Sequence, residues 1–391
     1  MKPTALSWSL WSAALLSGLA AGADAAPASA PPANAAGWTQ NLTRPARGEQ
    51  EVLLELPHFA RYTLVARSPQ GVALTLLDQV SGPVAESGEA GKTDGRLDLF
   101  LEKGRYKVLL KGHPKGAGEA ALSVMENREM HPDPAPWLPE RRVVSTTLEE
   151  GQQRSWWIEV KERRFVRIDV AGRSLGDLRM WRHGTQLTDE LPAVAVITPR
   201  PGEPLTRMEW KGILEPGLHR LTAYGGKAQV WSRESADHPL HLRTGIPELP
   251  EAGRHRHVAS PFGVDTWLLP KGVAFARLEL PQSADAKLFF SEYYPERGES
   301  STRMELAISK ESREPAVGGS IDLGSKGQLL LEINRQAGEP YTLQHFNHQR
   351  TRRISTPGEY RLQAFSAGFA GDDLDLTGVL VRQPYDDKET L

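Results

Sequence analysis

The residues that come nearest to doing chemistry in this 391-residue chain are closely spaced imidazoles. His238 and His241 lie three apart and His255 and His257 two apart. The second spacing puts both rings on one face of a strand, where they could share a cation. Arg243, Arg254 and Arg256 flank them with positive charge that opposes a metal, so the expectation is a polar loop between domains. Asp94 and Asp98 around Gly95, and Asp372, Asp373 and Asp375 after Gly371, offer the oxygens that calcium favours, but the EF-hand ligand pattern is missing. Ser366, in Ala364-Phe365-Ser366-Ala367-Gly368, lacks the first glycine of a nucleophile elbow and sits in an alternating run. With no cysteine in the chain there is no thiol nucleophile and no thiolate zinc site, and neither a phosphate-cradling loop nor a dinucleotide fingerprint occurs. No catalytic residue, no metal site and no cofactor is therefore expected.

Aromatic residues are the other candidates. Trp156, Trp157, Trp181, Trp210 and Trp231 concentrate in the middle of the chain. In an alternating strand only one of Trp156 and Trp157 can face a core. Trp157 is thus the candidate for a ligand-binding surface, exposed rings on a sandwich being suited to stacking on sugars, while burial under a neighbouring domain is the competing expectation. Arg350-Thr351-Arg352-Arg353 could attract anions but leads straight into a turn and fits a solvated face.

These residues must be positioned by the elements around them. Lys2 gives a positive start, Leu6 to Ala21 is mostly apolar and uncharged, and Ala23-Asp24-Ala25 is a small-x-small site, the pattern of a signal peptide cleaved near Ala25. The apolar run is shorter than the roughly 20 residues that a spanning helix needs. Residues 26–37 form an Ala/Pro tether. Four prolines within 131–139 remove backbone donors and predict a stiff linker. A weaker break, Ile246 to Gly253, separates blocks at 38–130, 140–247 and 254–384, with a tail at 385–391. Roughly 365 residues after the signal suit two or three domains. Lys and Arg number 47 against 49 Asp and Glu, a formal charge of -2, which provides no field to draw in nucleic acid. An exported chain without disulfides must be stabilised by burial alone, which favours sandwiches of about 100 residues.

Inside the blocks the apolar period is two. Tyr62, Leu64 and Ala66 alternate with Arg61, Thr63 and Arg67; Leu97, Leu99 and Leu101 with Arg96, Asp98 and Glu102; Val166, Ile168 and Val170 with Arg167 and Asp169; Tyr360, Leu362 and Ala364 with Glu359, Arg361 and Gln363. Such runs predict antiparallel strands with one buried and one wet face. A turn glycine followed by a ring, a cation and an aliphatic recurs at Lys103 to Val108, Pro216 to Leu221 and Pro357 to Leu362, which predicts domain duplication.

Leu56-Pro57, the strand Arg61 to Ala66, the middle strand with Leu74, Leu76 and Asp78, and the closing Leu101 to Val108 resemble the pre-peptidase C-terminal β-sandwich domains of secreted bacterial proteins. That resemblance, clearest over 48–125, weaker over 150–226 and faint beyond, implies jelly-roll-like sandwiches with an accessory role. His238-Pro239-Leu240-His241-Leu242-Arg243 and Ser260-Pro261-Phe262-Gly263-Val264-Asp265 resemble N-terminal regions of exported bacterial alpha-2-macroglobulin-like proteins, which trap or obstruct proteases. Many of those depend on a thioester cysteine, so covalent trapping does not carry over to this chain. The expected protein is all-β, with consecutive antiparallel jelly-roll-like sandwiches after a signal peptide, non-enzymatic, and soluble in the periplasm or secreted. Its expected partner is a protein of the bacterial envelope, with a polysaccharide as the alternative; nucleic acid is not expected, nor embedding in a membrane.

Overall fold

Polar and apolar side chains alternate so regularly that strands are the main way this chain can bury its aliphatic residues, and strands are what it forms. The computed structural model describes residues 37–347 apart from 79–81, 190, 201–202, 231–236, 250–252, 270–272, 283, 314 and 321–327. The expected signal peptide, the tether up to residue 36, Trp231, Arg350 to Arg353, Pro357 to Leu362, Ser366, Asp372 to Asp375 and the tail lie outside the described residues. Among the described residues there is no helix, and so none long and apolar enough to cross a membrane.

The first sandwich holds β1 (Thr39–Pro45), β2 (Glu49–Leu56), β3 (Ala60–Arg67), β4 (Ala73–Asp78), β5 (Gly82–Ser87), β6 (Gly95–Leu101), β7 (Gly104–Lys111) and β8 (Glu119–Glu126), in sheets ordered β1-β8-β3-β6 and β2-β7-β4-β5. That order is the jelly roll, two nested Greek keys. Along β2, Val52, Leu54 and Leu56 point inward and Glu49, Glu51, Leu53 and Glu55 outward. They meet Tyr62, Leu64, Leu76, Val108, Leu122 and Val124 in one core, each large side chain contributing about 1.5–3 kcal/mol.

The second sandwich follows the short β9 (Arg128–Glu129). It contains β10 (Val144–Thr147), β11 (Gln152–Val160), β12 (Arg164–Gly172), β13 (Leu175–Arg182), β14 (Thr185–Gln186), β15 (Ala195–Arg200), β16 (Glu203–Leu214), β17 (Gly217–Gly225) and β18 (Pro239–Thr244), in sheets β10-β18-β12-β16-β15 and β14-β13-β17-β11-β9. Without β9 and β15 the order is the same jelly roll. The third sandwich has β19 (Gly253–Val258), β20 (Val264–Leu268), β21 (Val273–Glu279), β22 (Ala286–Tyr294), β23 (Glu299–Ile308), β24 (Ala316–Ser320), β25 (Gln328–Asn334) and β26 (Pro340–Asn347), in sheets β19-β26-β21-β24 and β20-β25-β22-β23. The order repeats strand for strand. Among the described residues three jelly rolls therefore stand in series, with separate cores.

The topology gives the turn motif a structural place in the first two sandwiches. Its first two copies open the seventh strand of their sandwiches, β7 and β17, and Tyr106 and His219 turn inward as expected. In the third sandwich the seventh strand is β25, preceded in sequence by Lys326-Gly327, with buried Leu329 in place of the ring. In the sequence the glycines Gly104, Gly217 and Gly327 are 113 and 110 positions apart. A conserved geometry of the repeat appears at the far end of the same strand. A Cβ on Gly112 would lie 1.9 Å from the carbonyl oxygen of Ala46, and one on Gly225 1.8 Å from that of Glu149. Each carbonyl lies three residues before the second strand of its sandwich, so only glycine lets strands two and seven approach there. Gly225→Ala is expected to destabilise the protein by about 1–3 kcal/mol, read as a lower midpoint in urea, whereas Gly184→Ala, whose Cβ would meet nothing within 4 Å, should cost less than that despite its positive φ.

The wet faces differ from expectation. Arg61 and Thr63 on β3, and Arg167 and Asp169 on β12, are buried. The cause is that neighbouring sandwiches cover part of each outer face of the middle one: Arg61 and Phe100 of the first meet Asp177 and Trp181 of β13 and Tyr224 of β17, and Glu332, Tyr293 and Phe262 of the third meet Arg167 and Phe165 of β12 and Arg243 of β18.

Candidate functional site

At the contact of the first and second sandwiches, Arg61 reaches across to Asp177 at 2.5 Å, and Arg179 bonds the same oxygen at 2.8 Å. Both guanidinium groups lie over the Phe100 ring, at 5.5 and 5.2 Å, and Arg61 also lies 5.4 Å from the Tyr224 ring. Phe59, Phe100, Trp181 and Tyr224 surround them, and burial pushes the Tyr224 hydroxyl well above its ordinary range. Asn127 donates to the carbonyls of Gln152 and Gly225, tying the connector to the second sandwich.

The contact of the second and third sandwiches is built on Asp169. Its carboxylate receives Arg243 at 2.9 Å, Arg167 at 3.2 Å and Arg207 at 3.5 Å. Arg167 also pairs with Glu209 at 2.8 Å and crosses to Glu332 of the third sandwich at 3.2 Å. Burial alone would raise the Asp169 pKa, but Arg167, Arg243 and Arg207 together hold it below the ordinary carboxylate range. Beside this cluster, Arg243 lies 5.1 Å from the ring of fully buried Phe262, which packs on Ala171, Leu205 and Ile197.

Where the two sandwiches part, a cleft of about 700 Å³ opens. One wall is the outer face of β10 and β18 with Ser145, His241 and Arg243; the other is the end of β19, the following loop and Trp267 of β20. Asp265 organises the second wall. It accepts the Ser260 backbone N–H at 3.0 Å and the Tyr341 hydroxyl at 2.7 Å, and that hydroxyl accepts the Trp267 indole N–H at 2.8 Å. Burial, then the Asp265 charge, drives the Tyr341 pKa far up. His257 packs against Trp267 at 4.5 Å and Tyr341 at 5.3 Å, and its Nε2 is buried with no partner. Burial lowers its pKa, more than Asp265 restores it.

The histidine candidates separate into different roles. His238 bonds the Ser174 hydroxyl at 2.8 Å and His241 the Ser145 hydroxyl at 2.9 Å. His255 and His257 do share a face of β19, with ring centroids 6.3 Å apart and His345 of β26 stacked 5.4 Å from His255. Among the described residues no group of three or more His, Asp or Glu side chains is placed to hold a metal ion. Asp94 and Asp98 do not converge: Asp94 accepts the Ser68 N–H, and Asp98 takes the Thr63 hydroxyl and Arg96. Trp156 fills the second core. Trp157 is half-buried on the opposite face, its backbone paired with Pro136 and Leu138 of the proline-rich stretch. The ion clusters were missed by sequence reasoning, although the Arg-x-Asp and Asp-x-Arg spacings of Arg167 and Asp169, and of Asp177 and Arg179, carry the signal of like-facing opposite charges.

No family model matches the chain, and no curated protein matches it. Among solved structures, the stem and receptor binding domain of the spike protein P1 from bacteriophage PM2 is 10% identical, with 53% of this chain and 96% of that one covered at a TM-score of 0.12. Dimeric latent PorU from Porphyromonas gingivalis is 9% identical, with 78% and 33% covered at 0.15. Scores this low carry no argument about this chain, whose described residues form a series of three jelly-roll sandwiches joined by buried charge.

Two outcomes are expected. Asp169→Asn leaves three buried arginines short of a counter-charge and should cost about 3–5 kcal/mol by chemical denaturation. For His257, a pKa lowered by folding means that the unfolded chain binds the proton more tightly. Stability is then intact above the unfolded value of about 6.5 and declines as the pH falls below it. His257→Gln should flatten part of that decline between about pH 6.5 and 5, measured as melting temperature against pH.

Proposed function

We propose that this chain is an exported, non-catalytic binding protein of the bacterial cell envelope that engages another protein, in a macroglobulin-like protease-inhibitor setting. The observation that carries this reading is the cleft between the second and third sandwiches, whose walls are set by the Asp169 and Asp265 networks. Both segments that resemble macroglobulin-like proteins, His238 to Arg243 and Ser260 to Asp265, contribute to it. So do two edge strands, β10 and β19. An edge strand has backbone donors and acceptors to spare, and an extended partner segment can add to it by main-chain hydrogen bonds. Exposed Val143 and Val258 supply apolar contact at the mouth.

A photo-crosslinking amino acid at Val258 is expected to capture a discrete envelope protein, a protease or a macroglobulin-like chain, while the same probe at exposed Leu53 on the first sandwich captures none. Equal capture at both positions would count against the cleft. Ser145 and His241 have the composition of a nucleophile and its base; under the binding reading Ser145→Ala leaves the Val258 crosslink unchanged, and neither form turns over p-nitrophenyl acetate.

A further inference from the structure

A second surface lies on the opposite sheet of the middle sandwich. Residues paired across neighbouring strands project on the same face, and one transverse row there runs Trp137, Trp157, Arg220, Trp181, Gln186. The proline-rich stretch supplies Trp137 by running parallel to β11, with the Trp157 N–H donating to the Pro136 carbonyl and the Leu138 N–H to that of Trp157, both at 2.9 Å. Trp137 is 60% exposed, Trp157 and Arg220 are half-buried, and Trp181 is 7% exposed. Trp181 closes the inner end against Phe59, itself 44% exposed, at 6.1 Å.

Arg220 is the unusual member. Arg61, Arg167, Arg179 and Arg243 each meet a carboxylate. Arg220 meets none within ion-pair distance among the described residues; its Nε is buried without a partner, as are those of Arg61 and Arg243, but it lacks the carboxylate that their terminal nitrogens reach. Glu159, two positions along β11 on the same face, is exposed and stands opposite Leu218 rather than Arg220. A half-buried guanidinium flanked by two indoles has lost part of its hydration without gaining a counter-ion, and a planar carboxylate satisfies such a fork bidentately. The rings beside it, at strand spacings of about 4.8 Å, offer apolar surface to the C–H faces of a sugar.

We propose that Trp137, Trp157 and Arg220 form a subsite for a carboxylate-bearing pyranose of an acidic polysaccharide, with the sugar against the indoles and its carboxylate on Arg220. This goes beyond the protein-partner reading and stands independently of it, since the two surfaces lie on opposite sheets of the sandwich. The proline-rich stretch then has a function in its own right: its pairing with β11 carries the outermost ring into line.

The test is affinity electrophoresis of the full chain in gels containing polygalacturonate, with dextran as the uncharged comparison. Retardation is expected in polygalacturonate alone. Trp137→Ala, at an exposed position that folding does not need, should weaken it about five- to tenfold, and Arg220→Gln roughly tenfold or more. Arg105→Gln, at an exposed arginine of the first sandwich, should leave it unchanged. No retardation, equal retardation in dextran, or equal loss from Arg105→Gln would overturn the proposal.

Discussion

A charge taken out of water must be met by an opposite charge held in place, and the order of the three sandwiches depends on that constraint. Asp169 has its partners on β12, β16 and β18, and through Arg167 the same cluster reaches Glu332 of the third sandwich. Asp177 accepts from Arg61 of the first. A greasy contact tolerates sliding, because dispersion and apolar burial are almost indifferent to a small shift. A buried ion pair does not, since displacement leaves a charge both desolvated and unpaired. Buried charge is therefore a poor source of stability here and a good source of register.

The middle sandwich consequently meets a neighbour on each of its sheets. Its two sheets turn their inner faces to one another, and part of each outer face is covered by a neighbour while Glu159, Ile213 and Leu218 stay exposed. What stays accessible lies at the margins of those contacts: the cleft beside Phe262 and Asp265 on one sheet, and the row of Trp137, Trp157 and Arg220 on the other. Binding surfaces at domain junctions need no loops of their own, because the junction supplies concavity and the sheets supply evenly spaced side chains.

The three described jelly rolls share some of their geometry and differ in the rest. Gly112 and Gly225 serve the same close approach of strands two and seven, whereas the third sandwich has Arg335 at the matching position, paired with Glu339 at 2.8 Å. The inward ring of Tyr106 becomes His219 and then Leu329, all three buried. Burial is retained while volume and chemistry change. Cores of this kind tolerate such change if the pattern of inward positions holds.

The sequence by itself determined the secondary structure and the existence of separate sandwiches, because a period of two in Val52, Leu54 and Leu56, or in Val166, Ile168 and Val170, admits one arrangement that buries every aliphatic side chain. It also separated Trp156 from Trp157, since neighbours on a strand must part. It misjudged the wet faces: Arg61, Arg167 and Asp169 have the polarity of solvent-facing residues, and a single chain carries no mark that says when a polar face will be covered by another domain. A turn, a ring and a cation are local and legible in the sequence, whereas membership of the seventh strand is a matter of which distant strands pair. The convergence of His241 with Asp265, and of Trp137 with Arg220, was decided by tertiary structure alone. Those residues are brought together by domain packing and by strand pairing, and neither is encoded in the spacing of the residues themselves.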